Sequence, residues 1–90
     1  MCRNIKPLFN FEPPVAEDEM RAAALQFVRK VSGMNSPSKA NEAAFLAAVD
    51  AITEIERTLL SQLTTNAPPK NREEEEALAK ARSAQRFGRN

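Results

Sequence analysis

Few residues of this chain could do chemistry, and the missing types narrow the field further. The sequence holds no histidine, tryptophan or tyrosine, and one cysteine. Histidine titrates nearest working pH and is the commonest metal ligand, so Ser-His, Cys-His and His-metal devices are all absent. Cys2 is the only soft nucleophile. With Met1 removed it would be an N-terminal aminothiol beside Arg3, whose charge lowers the thiol pKa, and the α-amine, titrating near pH ~8, could act as its base. That arrangement would suit redox sensing or a thiol-dependent activity; the plainer reading is a small hydrophobe at a chain end. A zinc site of about four ligands is ruled out within one chain. No metal and no cofactor are expected.

Glu56 is the second candidate. It interrupts an apolar stripe between Ile52, Leu59, Leu60 and Leu63, where a carboxylate must be paired, protonated or set at a gap in the core. Arg3 is the expected partner, forming an internal pair. The run Glu73-Glu74-Glu75-Glu76 resembles a cation site only superficially. Adjacent helical residues fan out by about 100° and cannot converge on one ion. The last residues carry Lys80, Arg82, Arg86 and Arg89 without an acid. They are candidate phosphate contacts, but Phe87 is the only aromatic among them to stack on a base.

These groups need elements to position them, and the composition bounds what those are. Ninety residues allow one small domain with one core. Thirteen basic and twelve acidic residues give net +1, which predicts no strong steering toward nucleic acid or membrane. No apolar run reaches the ~18 residues of a membrane helix, and Arg3 and Lys6 are not followed by a signal-peptide core. A soluble, cytoplasmic domain is expected.

Prolines mark the joints. Residues 1–14 read as an extended strap laid across the helices by Ile5, Leu8, Phe9 and Phe11, ending at Pro13-Pro14. Glu17-Asp18-Glu19 suits a first helical turn, and Met20, Ala24, Phe27, Val28 and Val31 follow at helical spacing. Arg29, Lys30 and Gly33 supply a C-terminus, so a first helix spans 17–32. A second, 38–63 with Ser38 as N-cap, aligns Phe45, Val49, Ile52, Leu59 and Leu63, with Ile55 and Leu60 at the edges. After Pro68-Pro69, Asn71 and Glu74 form a capping-box pattern. That opens a third, charged helix over 72–86, followed by a tail, 87–90. The expected fold is all-α: an antiparallel helical pair, an N-terminal strap and a third charged C-terminal helix. Asp50, Glu54 and Arg57 on the second helix argue against helix-turn-helix DNA reading, and two glycines cannot make a phosphate loop.

Met1 to Ile5 (MCRNI), Asn10 to Pro14 (NFEPP), Ala22 to Gly33 (AAALQFVRKVSG), Pro37 to Phe45 (PSKANEAAF) and Ala67 to Glu73 (APPKNRE) resemble an uncharacterised family of small bacterial proteins, domain of unknown function 2277. The resemblance implies a compact bacterial cytoplasmic domain and no particular activity. That family often carries Thr where this chain has Ala16, so the hydroxyl half of a capping box with Glu19 is lost here.

The leading functional reading is a small non-enzymatic protein-interaction module with an unidentified protein partner. Nucleic-acid or ribosome association through the basic end is one alternative, and thiol chemistry at Cys2 another. A homodimer through the second helix is also expected. At 1.5 Å per residue that helix would span about 38 Å against about 24 Å for the first, leaving Leu59, Leu60 and Leu63 to be covered.

Overall fold

The computed structural model describes residues 5–87, with side chains through residue 82; Met1 to Asn4 and Gly88 to Asn90 lie outside the described residues. It is mainly α-helical. In order along the chain come β1 (Phe11–Glu12), α1 (Glu17–Ser32), a 3-10 turn (Lys39–Asn41) running into α2 (Glu42–Gln62), β2 (Lys70–Asn71) and α3 (Arg72–Phe87). Two compact units are built from these. One joins the chain through Phe9 to Val15–Thr64; the other joins Asn10–Pro14 to the chain from Thr65.

In the first unit, α1 occupies the expected residues because its signals are local. Glu17, Asp18 and Glu19 fill the first turn, where the helix dipole favours anions. At the other end Gly33 takes the left-handed conformation (φ 73°) and donates its N–H to the Arg29 carbonyl, which glycine does without a Cβ penalty. Ala16 has no side-chain acceptor to cap the helix, yet its own N–H donates to Glu19 Oε1 at 3.3 Å. Half of the capping box therefore survives the alanine.

The second helix departs from the expected 38–63. Its first residues form a 3-10 turn, and the α-helix proper is 42–62. Ser38 does precede the helical stretch, but its hydroxyl accepts from the Asn41 side chain (2.8 Å) and makes no cap bond. Alongside this side-chain bond the backbone closes the tighter i→i+3 bond from Asn41 N–H to Ser38 carbonyl (3.0 Å).

Ala24, Val28, Phe45 and Val49 form the core between α1 and α2, with Leu25, Met34, Ala48 and Ile52 packed around it. Arg21 bonds to Asp50, and Arg57 to Glu17. Partner numbers rise along α1 as they fall along α2, the arrangement of antiparallel neighbours. Ala24 is fully buried, and its small side chain lets the helices approach. Two expected core residues are exposed, Phe27 and Val31. The same register carries Val31 to the start of α2, where Glu42, Ala43 and Ala44 offer little apolar surface. In their place Thr53 is buried, its hydroxyl donating to the Val49 carbonyl at 2.7 Å, so the polar atom is satisfied within its own helix.

The expected strap divides between the two units. Residues 5–9 belong with the helical pair, and Lys6 reaches Glu19 at 3.9 Å. Residues 10–14 instead build the second unit. Asn10 adopts a left-handed conformation (φ 66°), which Asn tolerates better than most residues, and its side-chain amide donates to the carbonyls of Ala67 and Pro68. The Lys70 N–H donates to the Asn10 carbonyl at 2.8 Å, and β1 pairs in parallel with β2, Phe11 opposite Lys70. Prolines on both segments keep them extended and remove competing donors. The Lys70 ammonium lies 5.6 Å from the Phe11 ring centre, within cation–π range. Asn71 then caps α3, its Oδ1 accepting the Glu74 N–H at 2.9 Å.

Candidate functional site

The arrangement with the most unusual chemistry lies on the C-terminal half of α2. Ile55 and Leu59, followed by Leu63 at the C-cap of α2, recur at spacing i, i+4, i+8, one row along a helix. They are 67, 53 and 42 % exposed. α2 presents this row because its opposite flank is committed to α1: Arg57 bonds to Glu17 and also to Glu54 on its own helix, while Asp50 holds Arg21. Leu59 and Leu63 continue the angular stripe of Phe45 and Val49, but they lie past Arg57, which already meets Glu17 at the first residue of α1, whereas Ile55 lies at the edge of the stripe.

Glu56 borders this row. The residue is half-buried, and its Oε2 is sealed from solvent with no hydrogen-bond partner among the described residues. Burial pushes its carboxyl pKa above the ordinary value, because a low-dielectric surround disfavours the charged form. The expected pairing with Arg3 falls outside the described residues, and Arg57, the adjacent cation, points to Glu17 and Glu54.

Of the remaining candidates, only Lys80 and Arg82 have described side chains. Cys2 lies outside the described residues, as does Arg89, and the Arg86 side chain lies beyond those described. Lys80 and Arg82 are both exposed on α3, but two residues apart on a helix is about 200° of rotation, so they face opposite ways. Among the described residues no group of three or more Asp, Glu, Cys or His is placed to hold a metal ion. Glu73, Glu74 and Glu75 occupy the first turn of α3. No helix of the described residues is long and apolar enough to cross a membrane.

Sequence reasoning underrated two residues. Ile55 was placed at the edge of the core stripe and is the most exposed member of the row; its angle on the helix, about 120° from Val49, carried that signal. Asn10, which organises the second unit, left only the weak mark of an Asn between aromatic residues.

The model of a family described as an uncharacterized conserved protein (DUF2277) matches residues 1–78. No curated protein and no solved structure matches the chain.

Proposed function

This chain belongs to the DUF2277 family of uncharacterised conserved proteins, and we propose that it acts as a non-enzymatic protein-interaction module of the bacterial cytoplasm. One observation carries the reading: a row of three aliphatic side chains, Ile55, Leu59 and the C-cap residue Leu63, left exposed at the end of a helix whose other flank is packed and ion-paired. Contiguous exposed apolar surface of this kind marks contact sites. A single cysteine and the lack of histidine leave little to support catalysis, and net +1 gives no field for nucleic acid.

A photoreactive leucine analogue at position 59, in cells expressing the full chain, tests the reading. Crosslinked species are expected from position 59 and not from Ser61, which lies on the other side of α2. Absence of crosslinks at 59 would remove the row as a contact surface. A second copy on the row, related by a two-fold axis, is distinguished by sedimentation equilibrium: the wild type would dimerise at high micromolar concentration and Leu59→Asp would stay monomeric.

A further inference from the structure

One charge borders the row, and it constrains what can sit there. Glu56 borders Leu59 and Leu63 with one oxygen sealed and unpartnered among the described residues. Two cations of the same unit are engaged elsewhere: Arg57 of α2 bonds to Glu54 and to Glu17 of α1, and Lys6 of the N-terminal segment faces Glu19. An apolar surface laid over the row would strip more water from the carboxylate, which is costly unless the occupant brings a partner for it. The i, i+4, i+8 spacing, about 12 Å long, matches a helix laid alongside. A helix has no backbone N–H to spare along its length, so the neutralising group must be a side chain. A second copy seated through the same row fits poorly. Arg57 is the only cation of its α2 and is already held by two carboxylates, and the copy would add a second bare Glu56.

Accepting that the row is a contact surface, we propose that it receives an amphipathic helix of a different protein with one arginine or lysine set in its apolar face, and that this cation pairs with Glu56. The interface then resembles a buried ion pair ringed by aliphatic groups, specific because a neutral helix leaves the carboxylate unpaired.

Two synthetic amphipathic peptides test this, identical except that the central position of the apolar face is arginine in one and citrulline, its uncharged near-isostere, in the other. Titrated calorimetrically into the full chain, the arginine peptide should bind at least about tenfold more tightly. Glu56→Gln, confirmed folded by circular dichroism, should bring the two to equal affinity, whereas Leu59→Asp should weaken both. Equal affinities on the wild type, a preference that survives Glu56→Gln, or binding of neither peptide would overturn the proposal. A rise in arginine-peptide affinity on Arg3→Ala would overturn it too, by showing that the chain supplies its own cation. Peptides that bind Leu59→Asp as well as wild type would instead sink the row itself as the contact surface.

Discussion

Ala16 holds a backbone conformation ready for a cap that its side chain cannot make. Its φ of −87° and ψ of 163° are those of an N-cap, and Glu19 already accepts the reciprocal bond from its N–H. Ala16→Thr should therefore raise stability by about 1 kcal/mol, read as a higher urea midpoint at unchanged m-value. No gain would mean that the Glu19 N–H, which donates to the Ala16 carbonyl at 3.1 Å, leaves the hydroxyl without a donor. Glu56 makes the opposite prediction, because here the native residue is the unfavourable one. Its carboxyl pKa is raised above the usual 4.5 by burial, so the folded state holds its proton more tightly than the unfolded chain does. The Glu56 contribution is then most favourable below pH 4.5, declines as pH rises through the folded value, and stays flat above it. Glu56→Gln should match wild type in stability at pH 4 and exceed it by about 0.5 kcal/mol at pH 7, the figure being small because the group is only half-buried. Denaturant unfolding at a series of pH values checks both sign and window; a difference independent of pH would show that the carboxylate is solvated, and a wild type that gains on Glu56→Gln as pH rises would show that it is paired.

Val49 and Val31 differ only in where the helices carry them. Val49 is 1 % exposed between α1 and α2, whereas Val31 is 72 % exposed at the end of α1. Val49→Ala should cost about 2 kcal/mol through lost burial and the cavity left behind, and Val31→Ala less than about 0.5 kcal/mol; comparable losses would mean that α1 and α2 pack in another register. The two valines also mark how far the sequence could be read. Helical spacing put both on one stripe, but which end of α1 finds a neighbour depends on where α2 begins, and the 3-10 turn over Lys39–Asn41 puts that start at Glu42. The bounds of α1 were legible because three acids, two bases and one glycine act within a turn of where they stand. Pairing of β1 with β2 was not, since two residues show no alternation and the contact spans the sequence from Phe11 to Lys70. At the candidate site, Glu56 was conspicuous from pattern alone. The orientation of Arg57, and hence the lack of a counter-ion from α2, depended on Glu17 of another helix.

At the scale of the whole chain, protection is expected to be uneven. α1 and α2 share seven buried residues (Met20, Ala23, Ala24, Val28, Phe45, Val49 and Thr53), whereas no described side chain of α3 is buried. Amides of α3 should thus exchange with solvent far faster than those at the centres of α1 and α2, measured residue by residue on the full chain. Equal protection would require that α3 be held by contacts made beyond residue 82. The second unit has a further property, set by the order of its parts. Asn10–Pro14 come early, their partners come after Thr65, and the helical pair is encoded wholly between them. On a ribosome adding about 5–20 residues per second, Phe11 is made roughly 3–12 s before Lys70. The helical pair has every residue it needs before then, so β1 is synthesised ahead of both helices and finds its partner only after them. A message truncated between codons 65 and 70 would yield the helical pair together with a Phe11 that has no strand to join.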